Sequence, residues 1–383
     1  MGDIQSIPPM RVLWIGPWHS DKALYGRKAV NQAATEWSRG LLNALVETGC
    51  MVHICSHCYE QFWPRGRLSP GDAADFDFSL PLRVARYINL PFVRSVTLSI
   101  AYRQVVVQEI EAFHPDVILS YNVTSFLNVC LENHKLKNVR WFPIILDQND
   151  PTPDNWCEFM RQTTNASGLI FLSFWGFQHY PGSLPRVHFD GGVEKWNGEK
   201  NANHDGVIVY SGKYDDQYGG LDLLFEMFRE VQAPQCRFIL TGKDATGRLP
   251  KYLRQEPRAE YRGFLRQADL HALHCSASVF VNPRPPGISD NRMAFPSKLF
   301  RYLSYGKPVV STWTDGLAPD YRDLLWVPED NTPSAYAALI EQALFLGEDS
   351  RGALSEKIRL WVQAHIWQIQ VERLCRWLEE IRK

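Results

Sequence analysis

Short runs of β-branched and other apolar residues alternate with longer segments of helical period along almost the whole chain, and few folds accommodate that alternation. In the first half the runs are RVLWIG (11–16), MVHICS (51–56), DVILSY (116–121), VRWFPIIL (139–146), GLIFLS (168–173) and RVHF (186–189). Between the first two, NQAATEWSRGLLNALVETG (31–49) places Ala34, Trp37, Leu41, Leu45 and Val46 near one helical face, and Gly49 ends it. Continuous apolar strands between helices predict a parallel sheet covered on both faces. The stretch DGGVEKWNGEKNANHDG (190–206) is polar, has no apolar period and predicts a linker. The rhythm then restarts with GVIVYSG (206–212), CRFILTG (236–242), AEYRGF (259–264) and SVFVNP (278–283). The tail SEKIRLWVQAHIWQIQVERLCRWLEEIRK (355–383) carries one long amphipathic helical pattern, either continuous or with a break. Two doubly wound α/β domains are expected, with ligands beyond the carboxyl ends of their strands and in the cleft between them.

Composition narrows the function classes. A chain of 383 residues suits two or three domains, and a net charge of -1 supplies no field that would recruit nucleic acid. No run of about 18 apolar residues occurs, so no membrane-spanning helix is expected. The start, MGDIQSIPPMRVLWIG, lacks the basic and apolar regions of a signal peptide, so a cytoplasmic protein is expected. Eight cysteines are present; Cys50, Cys55, Cys236 and Cys275 lie in or beside apolar runs, as buried thiols of a reducing compartment do. Cys55-x-x-Cys58, with His53 and His57 nearby, has no second CxxC to close a four-ligand site, so strand-end thiols are expected and no metal.

The stretch AFPSKLFRYLSYGKPVVST (294–312) puts Pro296, Ser297 and Lys298 at the mouth of a helix, which Gly306-Lys307-Pro308 stops. Proline costs nothing in a first turn, the helix N-terminus offers free N–H groups, and Lys298 adds a charge, so the set suits a phosphate. An ordinary Ser-capped helix is the alternative. Before it, VNPRPPGISDNRMAFPS is a long loop carrying Arg284, Asn291 and Arg292. YSGKYDDQYGG places Ser211, Gly212 and Lys213 at another strand end, and LTGKD repeats the device with Gly242 and Lys243. Three strand ends with Gly or Ser beside a base point to a small polyanionic ligand.

Residues 206–383 resemble the nucleotide-binding domain of the large group 1 (family 4-like) retaining glycosyltransferase family with the GT-B fold. Three ordered segments carry the likeness. VIVYSGKYDDQYGGLDLLFEMF resembles the family's strand, phosphate loop and first helix; YRGFLRQADLHALHCSASVFVNPRP its base-binding turn and next strand; FPSKLFRYLSYGKPVVST its donor-binding helix. AHIWQIQVERL resembles the closing helix that crosses back to the first domain, and RVLWIG, SYN and DGGV sit at family-like places in the first half. The resemblance implies an α/β chain of GT-B fold, two doubly wound Rossmann-like domains facing a central cleft. Its parts would be an acceptor-side domain at 1–190, a nucleotide-sugar domain at 206–355 and a closing helix at 356–383.

It further implies a nucleotide-diphosphate-sugar donor and no cofactor. Lys213 falls at the place of a base that pairs with the diphosphate, with Ser297 and Lys298 facing phosphate and sugar. Arg262, Gly263 and Phe264 fall in the turn around the nucleobase, and Asn291 to Phe295 in the loop that meets the sugar. The family's usual pair of glutamates is replaced by Met293 and Arg301, and its second diphosphate lysine by Tyr218. A guanidinium cannot accept hydrogen bonds from ribose, so Arg301 is expected to contact phosphate or base instead. These departures leave room for a non-catalytic nucleotide-sugar-binding subunit; a GT-B epimerase or hydrolase is a third reading.

In the first domain, ILSYNVTSF puts Tyr121 and Asn122 at a strand end on the acceptor side. IILDQNDPTPDNW puts Asp147, Asn149 and Asp150 at the next, either as turn formers before Pro151 or as a base orienting sugar hydroxyls. With retention the catalytic force would be electrostatic stabilisation of the departing diphosphate; with inversion Asp147 or Asp150 would be the base. Residues 61–103 hold six arginines and no lysine among Phe, Trp, Tyr and Leu, interrupted by Asp72, Asp75 and Asp77. Such a segment either packs with a solvated face or lies on anionic lipid, where a lipid-linked acceptor would be met by a peripheral protein at the inner face of a membrane.

Overall fold

A computed structural model describes residues 9–26, 31–124, 127, 139–146, 152–198, 206–214, 220–285 and 292–382. The chain divides into two units, Met1–Gly192 with Trp367–Lys383, and Val193–Ile366.

In the first unit the apolar runs become strands β1 (Arg11–Ile15), β2 (Met51–Ser56), β3 (Leu82–Val84), β4 (Val117–Tyr121), β5 (Arg140–Ile145), β6 (Leu169–Phe171) and β7 (Arg186–His188). They form one sheet in the order β3-β2-β1-β4-β5-β6-β7, every pairing parallel. Strand order reverses between β1 and β4, the switch point of a doubly wound sheet. The Gln32–Glu47 helix starts where the Asn31 side chain accepts from the Ala34 N–H at 3.3 Å. It buries Ala34, Trp37, Leu41 and Leu45 as its period requires, whereas Val46 is exposed. Strand β3, at the sheet edge, lacks a long apolar run, and its three residues are half-buried or exposed.

The Trp367–Arg382 helix packs on the Gln32–Glu47 helix and buries Val371, Leu374, Cys375 and Leu378. A Cβ at Gly40 would lie 2.2 Å from the Trp367 ring, so the close approach needs glycine there. Trp377 meets Phe142 edge to face at 5.5 Å, and Arg373 donates to the His188 carbonyl at 3.2 Å.

The second unit holds β8 (Val207–Tyr214), β9 (Arg237–Asp244), β10 (Ala259–Tyr261), β11 (Val279–Asn282) and β12 (Val309–Ser311). Their order is β10-β9-β8-β11-β12, again all parallel, so the switch point falls between β8 and β11. Helix Leu221–Glu230 turns Leu224, Phe225, Met227 and Phe228 into the core against the Pro333–Leu344 helix.

The connections decide one alternative and change one expectation. The helical pattern of 355–383 is interrupted: Glu348–Ala364 ends before His365, and Trp367 begins a new helix in the other unit. Neither Gly nor Pro marks the break. It is made by the Val193 N–H donating to the His365 carbonyl at 2.8 Å and by a parallel bridge from Val193 to Ile366. The start of the expected linker is packed too, since Asp190 and Val193 are buried and the Asp190 carbonyl accepts from the Trp37 indole at 3.2 Å.

Candidate functional site

The carboxyl ends of β8 and β9 assemble the site of the second unit. Ser211, Gly212 and Lys213 pair in register with Thr241, Gly242 and Lys243. These residues therefore stand on paired strands that run to Tyr214 and Asp244, rather than on loops beginning at Gly212 and Gly242. The pairing is tight: Gly242 has φ +126°, and a Cβ there would lie 1.7 Å from the Gly212 carbonyl oxygen. The Gly242 N–H and the Thr241 hydroxyl both donate to the Gly263 carbonyl, at 2.9 and 2.6 Å. That ties the Arg262–Phe264 turn to the end of β9. Phe264 is partly exposed with Lys243 Nζ 5.2 Å from its ring centre, a cation–π pair beside the strand end. Arg262 pairs with Glu260 at 2.8 Å.

Ser211 is held on three sides. Tyr302, wholly buried, accepts from the Ser211 N–H at 2.8 Å and donates to its carbonyl at 3.1 Å. The Ser211 hydroxyl lies 2.8 Å from His274 Nε2. Burial, then the nearby Arg301, His271 and Lys307 cations or ring, push the His274 pKa down to about 3, so the imidazole is neutral. His274 sits on the Gln267–Ser276 helix, whose last carbonyls accept from buried Lys307: Cys275 and Ala277 at 2.5 Å and His274 at 3.4 Å. Tyr302 stacks on Phe280 of β11 at 4.5 Å, so the switch point and the tyrosine are packed together.

Lys298 opens the Lys298–Leu303 helix and reaches the same place. Its Nζ donates to the Tyr210 hydroxyl at 3.0 Å and lies 4.2 Å from that ring's centre. A Cβ on Gly212 would come within 2.7 Å of Nζ, which measures how close the ammonium stands to the β8 backbone. Ser297 does not cap the helix with its side chain; it has helical φ and ψ, -52° and -24°, and is exposed. Gly306 closes the helix at φ +66°, as the Gly-Lys-Pro stop requires. Arg301 is half-buried one turn beyond Lys298.

Other expected residues fall differently. Pro296 is buried, and so is Phe295, whose ring packs on Phe300 at 5.0 Å and Tyr321 at 5.8 Å. Met293, which the resemblance puts at one of the glutamate places, is 1% exposed. Arg284 is buried after β11; its backbone exchanges hydrogen bonds with the Thr312 hydroxyl at 2.7 and 3.2 Å. In the first unit, Tyr121 meets Trp14 edge to face at 6.4 Å. Asn122 has φ +60°, and its side-chain oxygen accepts from the Leu146 N–H at 2.9 Å, a structural task at the end of β4. Asp147, Asp150 and Asn291 lie outside the described residues.

Cys58 of the CxxC stretch lies with Glu60 and Asp75 in a buried group close enough to hold a cation, and the Arg67 guanidinium is that cation, bonded to both carboxylates. Cys55 is buried apart in β2. Sequence reasoning missed Tyr210, His274 and Tyr302. All three sit in apolar runs, and only the polar partners that reach them distinguish them from core residues.

Residues 205–345 match the model of the group 1 glycosyl transferases. No curated protein matches the chain. Among solved structures, a glycosyltransferase from Rickettsia africae is 12% identical with a TM-score of 0.70, covering 98% of this chain and 99% of that one. Sucrose-phosphate synthase from Thermosynechococcus elongatus is 14% identical with a TM-score of 0.68, covering 97% and 99%. The Anabaena HepE protein in complex with UDP and glucose is 14% identical with a TM-score of 0.65, covering 97% and 100%. At these identities the likeness establishes the fold, GT-B.

Proposed function

We propose, from the match of residues 205–345 to the group 1 glycosyl transferases and from the GT-B fold, that the chain moves a sugar from a nucleotide-diphosphate-sugar donor through the site around Ser211 and Lys298. The observation that carries the reading is the ammonium of Lys298 beside the β8 backbone at Gly212, at the carboxyl end of the switch-point strand. Strand ends at a switch point are where doubly wound sheets bind nucleotides, and a fixed cation there stabilises a departing diphosphate. Lys213 and Lys243 add charge on adjacent strands, and Phe264 offers a face on which a base stacks. Neutral His274 and Tyr302 fix Ser211 rather than exchange protons with substrate, because both are buried behind it.

The reaction proceeds with retention, the leaving diphosphate being stabilised by cations rather than the sugar being attacked by a carboxylate. The acceptor is a glycan, a glycolipid met at a membrane surface, or a small molecule. The complex of the HepE protein with UDP and glucose makes UDP the first nucleotide to test. A thermal-shift series with UDP, GDP, ADP and dTDP, followed by assay of nucleotide release from the matching sugar donors, tests the reading. No midpoint shift with any of the four, at millimolar concentration, overturns it. Proton NMR of the anomeric centre in the product tests retention, and an inverted product would return Asp147 and Asp150 as candidate bases. Buried Met293 and the Arg301 cation favour one second reading, a nucleotide-sugar-binding subunit. Midpoint shift without turnover would select it.

A further inference from the structure

The first unit carries an exposed apolar surface that its own core does not use. Phe92 is 99% exposed and has φ +65°, a backbone conformation that costs a bulky residue energy and here holds its ring clear of the protein. It leads into the Arg94–Phe113 helix, whose outer side exposes Val96 and Ile100, at i and i+4, to 57% and 62%. Trp63, Leu68 and Ile88 are exposed as well.

Hydrogen bonds make these residues one surface. The Trp63 N–H donates to the Asn89 carbonyl at 3.1 Å, and the Asn89 N–H to the Leu68 carbonyl at 2.8 Å. The Thr97 hydroxyl bonds both backbone groups of Ile88 within 3.2 Å. Arg86, Ile88, Thr97 and Ile100 line one shallow depression of about 290 Å³. Arg94 anchors the edge, with its guanidinium 3.7 Å from the Phe62 ring centre and its NH1 donating to the Glu60 carbonyl at 3.0 Å.

Arginines predominate among the exposed charges of this surface that stand outside ion pairs. Arg67 and Arg83 are consumed by Glu60, Asp72, Asp75 and Glu109. Arg65, Arg86 and Arg103 are exposed and pair with no carboxylate among the described residues. Of the aspartates that interrupt the segment, Asp75 is buried and Asp72 is bound to Arg67, while half-buried Asp77, accepting from the Ser79 N–H at 2.9 Å, keeps its charge and offsets one arginine. Apolar side chains projecting between unpaired arginines suit a surface whose interior is hydrocarbon and whose face is negative.

We propose that this face, centred on Phe92, Val96 and Ile100 and ringed by Arg65, Arg86 and Arg103, docks the protein on an anionic bilayer. Phe92 and Ile100 enter the acyl boundary while the arginines meet lipid phosphates. The docking rests on the exposed surface alone; only its purpose, bringing the site to a lipid-linked acceptor, rests on the transferase reading. No helix among the described residues is long and apolar enough to cross a membrane, so the contact is one of lying on the surface.

Co-sedimentation of the full chain with vesicles tests the proposal without any measure of turnover. Vesicles of phosphatidylcholine mixed with phosphatidylglycerol should carry the protein down, vesicles of phosphatidylcholine alone much less, and salt should release it. The Phe92→Ser/Ile100→Ser variant should bind at least about tenfold more weakly, from the apolar area it withholds. Arg86→Ser and Arg103→Ser should each cost about fivefold and flatten the salt dependence. Phe345→Ser removes another exposed ring, 75% exposed, from the second unit and should change nothing. All these side chains are exposed, so an unchanged thermal midpoint confirms that each variant is folded. The proposal is overturned if the wild type stays in the supernatant, if it binds neutral vesicles equally, or if the Phe92 and Ile100 variant binds as the wild type does. It is equally overturned if that variant abolishes self-association seen in the ultracentrifuge, since the surface would then belong to a second copy of the chain.

Discussion

Replacing Lys298 by methionine separates the ammonium from the methylene chain that carries it. In the structure Nζ donates to the Tyr210 hydroxyl at 3.0 Å and stands over that ring. Tyr210 also donates to the Lys213 carbonyl at 3.1 Å, so its hydroxyl keeps a partner in the variant. Methionine retains most of the aliphatic packing, and losing a half-buried charge removes a desolvation cost. The two effects nearly cancel, and stability should change by no more than about 0.5 kcal/mol. Ligand binding should respond quite differently. A charge-assisted hydrogen bond to phosphate contributes about 1.5–3 kcal/mol, which corresponds to about a 10- to 150-fold loss of affinity. Titration calorimetry against the nucleoside diphosphate that raises the thermal midpoint most reads this directly. Affinity within about twofold of wild type would show that the cation does not face the ligand, and would remove Lys298 from the site. A large fall in stability would refute the packing argument instead.

Gly242→Ala should destabilise the second unit by at least about 1–3 kcal/mol, because φ +126° disfavours a side chain and the new Cβ would meet the Gly212 carbonyl; an unchanged denaturation midpoint would contradict it. Arg301→Glu places a carboxylate one turn from Lys298 and should weaken nucleoside diphosphate binding about tenfold or more; equal or tighter binding would mean that Arg301 does not serve the donor. Burial lowers the pKa of both His19 and His57 to about 4 from 6.5, His57 being further disfavoured by His19. Below pH 6.5 the unfolded chain takes protons that the folded unit refuses, so stability falls with falling pH between 6.5 and 4. The loss is about 2 kcal/mol for each histidine at pH 5, before most carboxylates titrate. A thermal midpoint of the first unit that is flat from pH 7 to 5 would show that the two imidazoles are not buried as described.

Both sheets could be read from the sequence because their strands are buried on two faces and appear as unbroken apolar runs. Strand β3 is not written that way, since its three residues are only half-buried or exposed. Lys298 and Ser211 stood out because charge or a hydroxyl beside glycine interrupts an apolar run. The residues that hold them, Tyr210, His274 and Tyr302, are aromatic and buried, and a periodicity argument assigns such residues to the core. Phe295 shows the converse: a place in a loop suggested ligand contact, and three-dimensional packing put its ring among other rings. The stop at His365 had no local signal because its cause, Val193, is distant in sequence.

The Trp367–Arg382 helix has a consequence for the order in which the protein can be made. The first unit is complete only when this helix lies on Gln32–Glu47, yet all of Val193–Ile366 is translated between the two. At about 5–20 residues per second the ribosome leaves the nascent unit unfinished for a time on the order of tens of seconds. Throughout that interval Trp37, Gly40 and the apolar stripe around them have no partner helix. That surface is a natural client for a chaperone, and a premature stop codon anywhere in the second half of the message damages the first unit as well.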